Sequence, residues 1–256
     1  VVERENTQNI QLTVENLEKY YGGSEKLNAT LKDGAGNPIA NKTITFTING
    51  QKYNRTTNSN GIASLAINLR PGVYDVTTMY GNMSVYSKVV VKTTIEGKDL
   101  VKMYQNGTQF FATFLGTDGK PLANNTKVTF NINGVFYTRQ TNENGVARLN
   151  INLRPGNYII TTIFEGLTIG NNINVLPTLV TSDLSMKYLD GSKFTAQTLD
   201  GQGNPLTNQN VSFNINGVLY QKVTDKEGIA SLNITLLAGE YIITSYWNDF
   251  QVGNTI

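Results

Sequence analysis

The stretch from Asp118 to Phe164, DGKPLANNTKVTFNINGVFYTRQTNENGVARLNINLRPGNYIITTIF, occurs three times in the chain, with copies opening at Asp33 and Asp200. The Ile-Asn-Gly triplets begin at Ile48, Ile132 and Ile215, so the period is 84 and then 83 residues. A period of that length exceeds the short solenoid repeats and fits one small domain per repeat. The implied domains are residues 9–93, 94–177 and 178–256, with residues 1–8 (VVERENTQ) as an N-terminal extension that has no counterpart inside a period.

Each repeat reads as strands. Ile10, Leu12 and Val14 alternate with polar residues, the period of a half-buried strand, and the later repeats open with TTIEGKDLVKMY and TLVTSDLSMKY. Each opening stretch reaches a lysine beside an aromatic: Lys19, Lys102, Lys187. Asn49-Gly50, Asn133-Gly134 and Asn216-Gly217 stand between alternating apolar residues. Asn-Gly is the strongest short-range hairpin signal, because a type I′ turn needs positive φ at both central residues. Asp33, Asp118 and Asp200 are placed at one turn position in all three copies, where turn chemistry explains them. Tyr74, Tyr158 and Tyr241 follow tight turns, as in the tyrosine corner of Greek-key sandwiches.

About seven short strands per repeat and no helical period give an all-β fold: three tandem immunoglobulin-like Greek-key β-sandwiches arranged end to end. Phe130, Ile132, Leu149, Ile151, Tyr158 and Ile160 are expected to point inward. The joins carry no Gly/Ser stretch or charge block, so the domains are expected to be held in line, as a rod on the order of 100 Å.

Composition narrows the chemistry. With no Cys and no His, Ser-His-Asp, Cys-His and zinc constellations are excluded, as is a disulfide framework. No catalytic residue, cofactor or metal site is expected. A net charge of +2, with scattered Lys and Arg, argues against nucleic acid as a partner. No apolar run approaches the ~18 residues that span a bilayer, so no membrane insertion is expected in this segment. The Asp-Gly turns offer oxygen ligands for calcium but lack the dense acidic spacing of a calcium loop.

The block DGxGNPLAN…VTFNINGVxY…NGxAxLNINLRPGxYxIT resembles the tandem immunoglobulin-like domains of prokaryotic surface proteins, most closely those of the adhesin-like proteins of methanogenic archaea. The resemblance runs from about Ile10 to Ile256. It implies a non-enzymatic, extracellular module of a cell-surface adhesin or stalk. Its partners would be cell-surface glycans or proteins of another cell. The alternative is a pilus-like filament subunit that self-associates head to tail by strand complementation. In that reading Val1–Val14 of one copy pairs with the last strand of the next, because Gly253–Ile256 stops about three residues before its counterpart in the second repeat; a longer chain continuing past Ile256 is the other reading.

Two modifications are candidates. Lys102 with Asn171, and Lys187 with Asn254, hold strand positions suited to a Lys–Asn isopeptide cross-link; the first repeat has Ser87 in place of the Asn. Eight Asn-x-Ser/Thr sequons occur against about five expected by chance, and Asn41, Asn106 and Asn124, in turns and loops, are the candidate N-glycosylation sites. Phe164, Tyr246 and Trp247 are read as packing residues, with a sugar-stacking platform as the alternative.

Overall fold

A computed structural model describes residues 9–256. Among them there is no helix, and every strand belongs to one of six sheets, two per repeat. The first sandwich comprises β1 (Gln11–Val14), β2 (Leu17–Tyr20), β3 (Lys26–Lys32), β4 (Thr43–Ile48), β5 (Gln51–Thr56), β6 (Ile62–Ala66), β7 (Gly72–Tyr80) and β8 (Met83–Lys92). Its sheets are ordered β1-β3-β6 and β2-β8-β7-β4-β5.

The second sandwich repeats this order with β9 (Ile95–Gly97), β10 (Leu100–Met103), β11 (Gln109–Phe114), β12 (Lys127–Ile132), β13 (Val135–Gln140), β14 (Val146–Asn150), β15 (Gly156–Phe164) and β16 (Leu167–Leu176). The third has β17 (Leu179–Thr181), β18 (Lys193–Thr198), β19 (Asn210–Ile215), β20 (Val218–Val223), β21 (Ile229–Asn233), β22 (Ile242–Trp247) and β23 (Phe250–Thr255).

The opening stretch, expected as one strand, is two in the first and second sandwiches. β1 pairs with β3 in one sheet, and β2 pairs in parallel with β8 in the other. A side-chain oxygen fixes the crossover: Asn16 Oδ1 accepts from Lys88 N, Asp99 Oδ1 from Asn172 N, and Asp183 Oδ1 from Thr255 N. These bonds satisfy a main-chain donor where the ladder is interrupted. In the third sandwich the stretch after the crossover, Leu184–Lys187, forms no strand, and an open groove of about 630 Å³ runs beside it, lined by Leu184, Met186, Leu236, Tyr241 and Ile256.

Strand alternation builds the cores. β4, β12 and β19 each place three residues inward, the middle one a phenylalanine: Phe46, Phe130 and Phe213. Phe130 meets Phe110 edge-on at 5.9 Å, and Phe213 meets Phe194 at 5.7 Å, a geometry that favours the ring quadrupoles. Ile132, Leu149, Ile151 and Ile160 are buried as expected, with Tyr158 half-buried against them. Each tyrosine corner closes on the carbonyl four residues upstream: Tyr74 on Arg70, Tyr158 on Arg154, Tyr241 on Leu237. The Asn-Gly hairpins have positive φ at both residues, 53° and 78° at Asn133 and Gly134.

Two placements differ from the sequence reading. The bridges Lys32–Pro38, Leu115–Pro121 and Leu199–Pro205 align Asp33 and Asp200 with Gly116, so Asp118 sits two residues further along its turn. Asp33 and Asp200 each accept from the main chain four residues on, whereas Asp118 accepts from Lys120 N alone. The lysine register also shifts by one: Met186, not Lys187, occupies the position of Lys19 and Lys102.

Candidate functional site

Lys19 and Lys102 are buried, at 4% and 6% exposure. Lys102 Nζ donates to Ile151 O at 2.8 Å and Thr108 O at 3.1 Å; Lys19 Nζ donates to Ile67 O and Gly23 O. Each lysine thus ties the parallel strand to the opposite sheet through main-chain carbonyls. Burial pushes the Lys102 amine below the ordinary lysine range, while its carbonyl partners keep the charged form hydrogen-bonded. In the third sandwich Met186 packs against the core from this position, and Lys187 is exposed.

The structure does not bring Lys102 to Asn171. Lys102 pairs with Val175, four residues and about 13 Å along β16 from Asn171. Asn171 instead faces the first strand at Gly97, where a Cβ would stand 2.4 Å from Asn171 Oδ1. Its amide donates to Asp99, which also accepts from the side chain and main chain of Asn172. Those bonds hold the Asp99 carboxyl below the usual carboxylate range, so it is ionised rather than the protonated acid that amide attack by a lysine needs. Asn254 makes the same contact with Asp183, and Lys187 lies outside the core. Lys102 thus acts as a strap, Lys187 faces solvent, and Asn171 and Asn254 both serve the crossover.

Of the sequons, Asn41 and Asn124 are exposed, Asn41 at positive φ in its turn. Asn106 is committed elsewhere: its amide donates to Gly201 O at 2.6 Å and its carbonyl accepts from Thr108. Phe164 and Trp247 pack on their cores, with Trp247 Nε1 donating to Gln209. Val1–Gln8, invoked for strand complementation, lie outside the described residues.

The joints between sandwiches are the most specific constructions in the molecule. Tyr21 packs against both the first and the second core, and Tyr104 against both the second and the third. At the second joint the Tyr104 ring meets Phe250 edge-on at 4.8 Å and its hydroxyl donates to Asp249. Arg154 pairs with the same carboxylate at 3.4 Å. No local sequence signal marks these contacts, since the partners lie more than ninety residues apart; the aromatic that ends each opening stretch is the only visible trace. Among the described residues no group of three or more Asp, Glu, His or Cys is placed to hold a metal ion.

No family model matches the chain. A curated relative, the inverse autotransporter adhesin YeeJ of Escherichia coli K12, is 25% identical over 89% of the chain. The chain spans about 12% of the length of that relative. Among solved structures, the titin tandem I9–I11 is 12% identical, with 96% of this chain and 98% of that one covered and a TM-score of 0.36. The Escherichia coli adhesin FdeC is 15% identical, with 96% of each chain covered and a TM-score of 0.30.

Proposed function

We propose that the chain is a non-enzymatic, extracellular repeat module of a cell-surface adhesin or stalk, which projects or mediates attachment to glycans or proteins of another cell. The observation that carries this reading is the pair of joints. One tyrosine shared by two cores at each joint stacks three sandwiches in series without a free linker. A series held this way keeps whatever it carries at a fixed distance from its anchor. The similarity to a segment of an adhesin supports the same role, and the repeat block's resemblance to methanogen adhesin-like proteins makes an archaeal surface the setting we favour.

The boundaries 9–93, 94–177 and 178–256 are proposed as the folding units, and limited proteolysis should nick near them before it cuts within a sandwich. Asn41 and Asn124 are the proposed glycan acceptors, to be read by intact mass of protein from its own host. The adhesin reading is tested by whole-cell binding of the purified chain, with small-angle scattering on the same sample. Binding to cells by a rod on the order of 100 Å is expected. A compact particle that binds no cell would sink the reading.

A further inference from the structure

The outer face of the three-stranded sheet differs among the sandwiches at one row. In the second, β11 lies between β9 and β14, with Phe111 opposite Arg148 and Thr113 opposite Glu96. Continuing that register past Gly97 sets Lys98 beside Phe111, and both line one cavity of about 400 Å³ together with Glu96, Gln109 and Thr113. The row Lys98–Phe111–Arg148 is Glu15–Asn28–Ser64 in the first sandwich and Ser182–Thr195–Ser231 in the third. Polar residues without an aromatic or a cation therefore satisfy the fold here, and the aromatic flanked by two cations is an addition.

From this row we infer that the second sandwich binds an acidic saccharide, a pyranose that carries a carboxylate. The inference rests on the attachment reading above and names the ligand chemistry. Phe111 is 47% exposed, with the Arg148 guanidinium 5.3 Å from its ring centre, which holds that cation in place. A pyranose has an apolar C–H face suited to the ring. Its carboxylate is met by Lys98 and Arg148. Gln109 and Thr113 supply polar atoms for hydroxyls; the Gln109 amide already bonds Asn150, which orients it. Glu96 accepts from hydroxyls; with Asp99 it equals the two cations in number, so an acidic ligand is met locally by Lys98 and Arg148 and not by the charge of the site as a whole. Asp99 also lines the cavity, but its carboxylate is occupied by Asn171 and Asn172.

A peptide strand is disfavoured at this place. β11 is the central strand, paired with β14 from Gln109 to Thr113 and with β9 from Ala112 to Phe114, so at most the three residues Gln109–Phe111 have an edge open to an added strand. Recognition must come from side chains, as it does for a sugar.

The test is calorimetric titration of the 256-residue chain with trigalacturonic acid, its methyl ester, sialyllactose and a heparin-derived hexasaccharide. At least one acidic ligand should bind. Phe111→Asn and Arg148→Ser, which install the first sandwich's own residues and so preserve the fold, should each weaken it by about tenfold. The methyl ester should bind weaker than its acid by a similar factor. No binding of any acidic ligand, or binding unchanged in both variants, overturns the inference. If cells are still bound in either case, the attachment reading survives alone; if cells are not bound, that reading falls separately.

Discussion

At the first joint Tyr21 reaches Gly166 in the last turn of the second sandwich, and the neighbouring Tyr20 ring lies on Gly119. At the second joint the equivalent tyrosine, Tyr104, reaches the same turn of the third sandwich, but there the position of Gly166 is held by Asp249 and that of Leu167 by Phe250. The first joint is thus closed by shape. The second adds charge and directed hydrogen bonds: Arg154 to Asp249, Tyr104 to Asp249, Asn106 to Gly201. Arg70 stands where Arg154 does, yet Gly166 offers it no carboxylate. One backbone frame accepts either solution because the shared tyrosine, half-buried and packed against two cores, supplies the common part.

Removing that common part should have the largest effect. Tyr104→Ala is expected to cost about 1–3 kcal/mol, somewhat below a fully buried ring, and Tyr21→Ala somewhat less because Tyr104 also loses a hydrogen bond and the Phe250 contact. Calorimetry is the check. Each variant should separate the melting of the two sandwiches it joins, and a thermogram unchanged in shape would show the sandwiches to be uncoupled from the start.

Gly119→Ala probes the shape-closed joint. At φ +76° any side chain is strained, and the new Cβ would stand 2.2 Å from Tyr20 Cε2. Gly203, its counterpart in the third sandwich, has φ +84° and open space around it. Gly203→Ala therefore measures the backbone cost alone. Gly119→Ala should exceed it by about 1–3 kcal/mol in urea unfolding, the range for overpacking. Equal values would mean that Tyr20 moves aside freely.

What the sequence disclosed follows the range of each interaction. The hairpins were legible because positive φ at Asn133 and Gly134 is a property of two adjacent residues. The tyrosine corners were legible because hydroxyl and carbonyl are four residues apart. The sheet crossover was not: the alternation of Ile10, Leu12 and Val14 breaks at Asn16 and restarts from Leu17, but a break in phase does not say which sheet the chain enters next. From sequence Lys102 is a cross-link candidate; only the folded chain shows its ammonium held by two carbonyls, one of them 49 residues away. Phe111 became visible as a candidate site only when strand register put Lys98 and Arg148 beside it.

The ion pair of the second joint should matter less than either tyrosine. Its side chains are 65% and 45% exposed, a setting in which pairs contribute about 0.2–1 kcal/mol. Arg154→Leu should lower stability within that range at low salt and less as salt is raised, whereas Arg70→Leu should be near neutral. Equal losses would show that Arg154 acts through packing of its stem.

Acid should separate the third sandwich from the first two by a smaller margin still. Hydrogen bonds from Asn254 and Thr255 to Asp183, from Ser192 and Lys187 to Asp190, and from Asn204 to Asp200 hold all three carboxyls below the ordinary range. The first sandwich has one such group, Asp33, and at its crossover uses the neutral Asn16 where the third uses Asp183. A carboxyl with a depressed folded pKa adds stability that is present above the unfolded value near 4 and lost as pH falls through the lower folded value. The third sandwich therefore has more to lose between about pH 5 and pH 3. These carboxylates face solvent, which keeps the effect small. The chain's one tryptophan, Trp247, is buried in the third core, so its fluorescence reports that sandwich alone. In the Tyr104→Ala background, where the third sandwich melts apart from the others, the Trp247 thermal midpoint should drop further on acidification than the midpoint from circular dichroism, which all three sandwiches share. Asp183→Asn, which installs the first sandwich's solution, should remove part of that difference. Parallel shifts of the two midpoints would show that the carboxylates behave alike folded and unfolded.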